Sequence, residues 1–269
     1  MMALNEKINT EISQSSKSWY NYKLVIEYNG SDFFGSQKQK MEGPDSRTVQ
    51  AELEKVLESY FKKDISTVFS GRTDRGVHAL GQVVNFKTQE PFRDDFDRLL
   101  LRFNALLPED LVIVKIEEAS EGFNARFDAK SREYLYKIFV RRHRPVLRVD
   151  SLGWFKDELD FNLMQKHCKN YIGKKDFATY SKEEKIELSP DSDRYQGEKN
   201  SICEVYEAEL IKESKLCYKF RIRANRFLRN MVRRMVGELV HVGKGNQADH
   251  NSARLRAPAA GLTLIKVNY

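Results

Sequence analysis

Apolar and polar residues alternate in Tyr22-Lys23-Leu24-Val25-Ile26-Glu27-Tyr28, and the turn pair Asn29-Gly30 follows, so this segment predicts a strand. From Val49 the period changes. Val49, Leu53, Val56, Leu57 and Tyr60 recur at helical spacing and predict an amphipathic helix. A short strand at 66–69, a glycine-bracketed loop and a strand at 80–86 come next. A helix over 94–106, ended by Pro108, and a strand at 111–116 complete the first half. The second half repeats the scheme, with a strand at 134–140, a helix at 160–172, strands at 202–211 and 217–225, a helix at 227–242 and a strand at 262–267. Phe227, Leu228, Met231, Met235 and Leu239 line one side of that last helix. Two successive β-α-β-β groups with antiparallel pairing predict an α+β protein.

These elements divide the chain into a polar, disordered arm at 1–20, an N-terminal half at 21–128 and a C-terminal half at 129–269. Residues 182–199 carry Pro190, Gly197 and many charges, and read as an exposed loop. A chain of 269 residues can bury a sizeable core, and 41% hydrophobic with 32% charged content fits a globular protein with a highly charged surface. The net charge of +7, from 46 Lys+Arg against 39 Asp+Glu, favours an anionic partner, nucleic acid first. Cys168, Cys203 and Cys217 have neither metal-ligand nor disulfide spacing, which fits a reducing cytoplasm. No apolar run is long enough to span a membrane, and the first 20 residues lack a signal-peptide core. No Gly-rich phosphate loop is present, and His78, His143, His167, His241 and His250 show no ligand spacing, so neither a metal nor a cofactor is expected.

The most informative stretch is Ser70-Gly71-Arg72-Thr73-Asp74-Arg75-Gly76-Val77-His78-Ala79. It sets Asp74 between Arg72 and Arg75 in a loop between helix and strand, where connecting segments usually carry function. Gly71 and Gly76 permit tight turns and close approach of a ligand. The two arginines can hold the carboxylate ionised, and an ionised aspartate in basic surroundings can act as a nucleophile on an anionic substrate. The spacing alone favours a solvated, salt-bridged turn over a reactive carboxylate. Further along, Lys219, Arg221 and Arg223 alternate with Phe220, Ile222 and Ala224, which puts the cations on one face of a strand. Arg226, Arg229 and Arg233 follow at helical spacing. Strand and helix together form a candidate RNA-backbone surface.

The full string Gly71-Arg72-Thr73-Asp74-x-Gly76-Val77-His78-Ala79 resembles the signature of the TruA-type tRNA pseudouridine synthases. Phe123-Asn124-Ala125-Arg126-Phe127 with Ser131-Arg132-Glu133-Tyr134-Leu135-Tyr136 resembles the family again. So do Ala224-Asn225-x-Phe227-Leu228-x-x-Met231-Val232-Arg233-x-x-Val236-Gly237 and Ala257-Pro258-Ala259-x-Gly261-Leu262-x-Leu264, and the likeness runs from Tyr22 to Tyr269. It implies two ferredoxin-like halves forming a mixed, mainly antiparallel sheet with helices on one face, the pseudouridine synthase fold. It also implies that Asp74 is the catalytic residue, that Tyr134 contacts the target base, and that Arg233 pairs with Asp74. Arg72 would fill the space left by the extruded base, and Leu262 would line the uracil pocket. From the residues alone, Tyr134 is a half-buried strand tyrosine, Leu262 a strand leucine and His78 a structural group.

The implied activity isomerises uridine to pseudouridine at positions 38 to 40 of the tRNA anticodon arm, in a cytoplasmic homodimer, with no cofactor. Three features depart from the family. Ser36 stands where Trp is usual, Asn124 where His is usual, and the stretch 245–256 is short. The rival readings are a non-catalytic RNA-binding or RNA-chaperone protein, which has no need of a carboxylate facing phosphates, and a metal-dependent nuclease. The nuclease would want several clustered carboxylates, and the motif holds only Asp74.

Overall fold

In the computed structural model the described residues are 19–38, 47–147, 149–181 and 201–269. The first 18 residues of the arm at 1–20 and the whole of the loop at 182–199 lie outside them. The described residues form strands β1 (Tyr20–Tyr28), β2 (Thr67–Phe69), β3 (His78–Thr88), β4 (Leu111–Ala119) and β5 (Ser131–Val140), then β6 (Gly153–Phe155), β7 (Gly173–Asp176), β8 (Ile202–Lys212), β9 (Cys217–Ala224) and β10 (Leu262–Asn268). Helices are α1 (Val49–Phe61), α2 (Phe96–Leu106), α3 (Phe161–Cys168) and α4 (Met231–Gly243).

Capping residues set where the helices begin. The Thr48 hydroxyl accepts from the Ala51 N–H at 3.2 Å and opens α1. Asp95 accepts from the Arg98 N–H at 2.9 Å, so α2 starts two residues later than the apolar pattern suggested. The Asp160 carboxylate accepts from the N–H groups of Asn162 and Leu163 and opens α3, which tightens into a 3-10 turn at Lys169–Tyr171. Helix α4 begins at Met231, four residues past the expected start. Asn230 is in the left-handed region at φ 64°, and the Asn225 side chain accepts from the N–H groups of Arg226 and Glu204. Arg226 and Arg229 therefore lie in a loop, not on one helix face with Arg233.

All ten strands join one sheet in the order β4-β1-β3-β10-β5-β9-β8-β7, with β2 on β3 and β6 on β5. The first half runs β4-β1-β3-β2. The second, counting β5, β8, β9 and β10 as its four principal strands, runs β10-β5-β9-β8. Both are the permutation fourth-first-third-second, so the weakly similar halves share one ferredoxin-like connectivity. They meet where β10 runs parallel to the start of β3, with Thr263 beside His78 and Leu264 beside Ala79. The other long pairings are antiparallel.

One face of the sheet is apolar. Tyr22, Leu24, Val84 and Phe86 pack with Leu53, Leu57, Leu99 and Phe103 of α1 and α2. Tyr136, Phe220, Ile222 and Leu262 pack with Met164, Met231, Met235 and Leu239 of α3 and α4. Leu264 and Val267 of β10 belong to the first cluster and Leu262 to the second, so this strand stitches the two cores together.

Candidate active site

Asp74 lies in the loop between β2 and β3, at the seam where β3 meets β10. Tertiary contacts hold this loop. The Ser36 hydroxyl accepts from the Thr73 N–H at 2.9 Å while the Ser36 N–H donates to the Thr73 carbonyl at 3.1 Å. Ser36 is fully buried, so the small residue standing where the family usually has Trp clamps the peptide next to Asp74 from both sides. Beneath, the Thr73 hydroxyl meets the Tyr28 hydroxyl at 2.8 Å. Gln82, also fully buried, donates to the Gly71 carbonyl at 2.9 Å and accepts from the Ser70 hydroxyl at 2.6 Å. The Val77 N–H closes a turn onto the Asp74 carbonyl at 3.1 Å. Gly76 is needed in that turn because its φ is +77°, in the region other residues rarely enter. Gly71 has open space where a Cβ would sit, so neither packing nor strain requires a glycine there.

The two arginines flanking Asp74 do not pair with it. Arg75 lays its guanidinium over the Phe34 ring at 4.2 Å, and Arg72 is exposed with no partner among the described residues. The counter-charge comes instead from the second half: Arg233 Nη1 of α4 stands 3.6 Å from Asp74 Oδ2. Arg233 is buried and held by its Nε–H donating to the Ala257 carbonyl at 2.9 Å. Burial pushes its pKa down and the Asp74 carboxylate pushes it back up. Asp74 itself is 23% exposed, open enough for a substrate to reach.

Tyr134 of β5 is half-buried, with its ring edge-on to Phe227 at 5.2 Å between centroids. Desolvation raises its hydroxyl pKa well above the usual value. Tyr28 and Asp74 add to this and Arg132 opposes it, so the phenol stays neutral at any working pH. Leu262 is buried opposite Tyr136 in the β10–β5 ladder.

Arg132, quoted in the motif but given no role, proves to be a junction. One guanidinium donates to four carbonyls: Ser70 at 2.7 Å, Arg126 at 2.8 Å, Asn225 at 2.9 Å and Ala129 at 3.0 Å. It ties the Asp74 loop, the connection between the halves and the end of β9 to one point. Asn124 shapes that connection by accepting from the N–H groups of Arg126 and Phe127.

His78 is a second fastener. Its Nδ1 accepts from the Gly30 N–H at 3.1 Å, which leaves the proton on Nε2 to donate to the Ala260 carbonyl at 3.1 Å. Burial lowers its pKa below the ordinary histidine value. Protonating Nδ1 would remove the acceptor for Gly30. The unfolded chain takes up that proton more readily, so the stability His78 contributes at neutral pH is lost as pH falls below about 6.5. The gap in melting temperature between the wild type and His78→Asn should shrink from pH 7.5 to pH 5.5. A constant gap would remove His78 from the acid response.

The basic residues predicted to meet RNA are distributed differently. In the β5–β9 ladder Tyr134 opposes Ile222 and Glu133 opposes Arg223. Since side chains alternate, Lys219, Arg221 and Arg223 lie on the sheet face opposite Tyr134. Each is tied to a carboxylate: Arg221 to Glu133 at 2.6 Å, Arg223 to Glu207 at 2.6 Å, and Lys219 to Glu213. Arg226 reaches the Cys203 thiol. Among the described residues no three His, Cys, Asp or Glu side chains gather as a metal site, and no helix is long and apolar enough to cross a membrane.

With this geometry in place, comparison with known proteins is decisive. The sequence matches the tRNA pseudouridine synthase family over residues 24–128 and 167–269. The chain belongs to the tRNA pseudouridine synthase family. A tRNA pseudouridine synthase A from Dictyoglomus thermophilum is 38% identical over 261 residues, covering 93% of this chain and 99% of its relative. Relatives carrying the same name from Caldicellulosiruptor bescii and Leptospira biflexa are 35% and 33% identical, again over 93% of this chain. A solved archaeal box H/ACA sRNP Nop10–Cbf5 complex aligns with a TM-score of 0.36 at 10% identity, over 90% of this chain and 57% of that one. Membership makes the protein an isomerase of the pseudouridine synthase class, with the α+β fold described above. The Asp74 loop and α4 fall within the matched segments, and the match leaves out residues 129–166, which hold β5 and Tyr134.

Proposed function

We propose that this tRNA pseudouridine synthase acts on uridines 38 to 40 of the anticodon arm and that Asp74 is its catalytic group. The supporting observation is the pairing of Asp74 with Arg233 at 3.6 Å, across the seam between the halves and beside the neutral phenol of Tyr134. The reaction breaks the bond from uracil N1 to ribose C1′, turns the base, and forms a bond from C5 to C1′. The C5 proton leaves to solvent and N1 takes one up, so atoms and electrons balance without an oxidant or a hydrolytic water. Asp74 opens the sequence in one of three ways: attack on C1′, attack on uracil C6, or removal of the proton at C2′. In each, Arg233 fixes the carboxylate and balances its charge.

A stem uridine must leave the stack to reach Asp74, at a cost of a few kcal/mol. Arg72, exposed and without a partner among the described residues, fits the space vacated by the base. Leu262 and Tyr134 fit the uracil itself. The same reading places the enzyme in the cytoplasm as a homodimer with one tRNA touching both subunits, which sedimentation with and without tRNA would measure. Release of tritium from tRNA carrying 5-tritiated uridine tests the reaction class. The expected result is stoichiometric release to water. Binding without release would favour the rival RNA-chaperone reading.

Tyr134 offers a sharper check. Base–aromatic stacking is worth about 1–3 kcal/mol, so Tyr134→Ala should lower single-turnover rate by roughly tenfold to a hundredfold while tRNA affinity changes far less. Tyr134→Phe keeps the ring and removes the hydroxyl. It should retain most of the rate, because a phenol so hard to ionise gives up its proton reluctantly and is not present as the phenolate that could accept one. A Phe variant as slow as the Ala variant would assign the chemistry to the hydroxyl.

A further inference from the structure

A group of unneutralised cations borders the Arg233 side of the site. The segment leading into β10 lies directly on α4. The Ala257 N–H donates to the Arg233 carbonyl at 3.0 Å, and a Cβ on Gly237 would stand 2.3 Å from the Leu255 carbonyl and 3.1 Å from the Arg256 nitrogen. Only glycine admits this approach. It sets the backbone of Leu255 and Arg256 against the helix at Gly237, with Arg254 and Arg256 on either side of the extended Leu255. Arg256 is exposed and has no partner among the described residues. Arg254 is exposed, and its only side-chain partner among the described residues is the His250 ring at 2.9 Å. Arg234 spends one nitrogen on the carbonyls of Thr179 and Ser181, and its Nε is buried with no hydrogen-bond partner among the described residues. Burial lowers the Arg234 pKa, and the like charges of Arg256 and Arg254 lower it further. Arg233 likewise feels Arg256, with Asp74 as the opposing carboxylate. This contrasts with β9, where each cation has its own carboxylate.

We propose that Arg254 and Arg256, backed by Arg234, form a phosphodiester-binding subsite that holds a backbone phosphate of the substrate RNA close to the target nucleotide. The proposal rests on the reading of Asp74 as the site of tRNA isomerisation. Guanidinium forks match phosphate oxygens, and an anion placed here relieves the repulsion that Arg256 and Arg254 exert on Arg234. The subsite lies on the seam side of the molecule, with Arg233 linking it to Asp74. The paired cations of β9 lie on the far face of the sheet and would contribute little.

The test is tRNA binding by wild type, Arg254→Gln/Arg256→Gln and Arg221→Gln/Arg223→Gln between 50 and 200 mM salt. The two double variants remove equal charge. The slope of log affinity against log salt should flatten by about 1.5 in Arg254→Gln/Arg256→Gln, with affinity lower by roughly tenfold at the low-salt end. In Arg221→Gln/Arg223→Gln it should change by less than about 0.5. Arg256→Gln alone, at an exposed position without partners, should show about half the effect with an unchanged melting temperature, and Arg256→Lys should keep most of the slope. A wild-type slope in Arg254→Gln/Arg256→Gln, or equal flattening in both double variants, would overturn the subsite. The wild type's own isomerisation separates the two levels: if it forms no pseudouridine the functional reading fails, and if it does while the slopes match, only the subsite fails.

Discussion

Replacing Asp74 with Asn should abolish turnover and leave tRNA binding nearly intact. The substitution keeps the side-chain shape and the clamp of Ser36 on Thr73, and removes only the negative charge that faces Arg233. If the carboxylate performs the first step, the single-turnover rate with excess enzyme should fall by at least about 10⁴-fold, while affinity for tRNA stays within about threefold. The asymmetry arises because phosphate contacts position the RNA and are made elsewhere. Affinity could even rise slightly, since a carboxylate near a polyanion repels it. A variant that formed pseudouridine at near wild-type rate would remove Asp74 from the chemistry and return the loop to the salt-bridged turn its spacing first suggested.

The second large effect should appear in stability. Arg132→Met keeps most of the side-chain stem and deletes a guanidinium that serves four carbonyls from three segments. Hydrogen bonds from charged donors contribute more than neutral ones, and the carbonyls left behind lose partners in a part-buried place. A loss of about 3 kcal/mol is expected, read from the denaturant midpoint at unchanged m-value. Arg132→Lys should recover little, because one ammonium cannot span the Asp74 loop, the inter-half connection and the end of β9 at once. Activity should fall with stability, since the Ser70 carbonyl begins the loop that carries Asp74. A midpoint within experimental error of wild type would show that the four contacts are replaced by water at no cost.

What could be read from the sequence follows from what is local. β1 and β9 alternate strongly enough to be found, β3 and β5 were found from their apolar and aromatic content, and the alternation of β9 correctly separated Phe220 and Ile222 from Arg221 and Arg223. β6 and β7 escaped notice because three and four residues, one of them Gly-Lys-Lys-Asp, carry no period. The start of α4 was set four residues early because Phe227 and Leu228 extend its apolar stripe. They are apolar for a tertiary reason, with Phe227 packed against Tyr134 rather than continuing the helix.

The site divides in the same way. Asp74 could be singled out from its loop, but its local arginines suggested the wrong counter-charge. Arg75 prefers the Phe34 ring, and Arg233 arrives from the other half, a partnership no local spacing reveals and only the family resemblance pointed to. Gln82, Ser36 and Arg132 had no visible signal because their role is to satisfy backbone groups of distant segments. The ion pairs of the β9 cations were hidden because charge on one strand says nothing of the carboxylates on its neighbours.

The most direct measurement is carbodiimide-based pseudouridine mapping of one tRNA after incubation with the wild type and with Asp74→Asn in parallel. New pseudouridines confined to positions 38 to 40 with the wild type, and none with Asp74→Asn, are the predicted result. No new pseudouridine in the anticodon arm with the wild type, or the same sites filled equally by Asp74→Asn, would contradict the account.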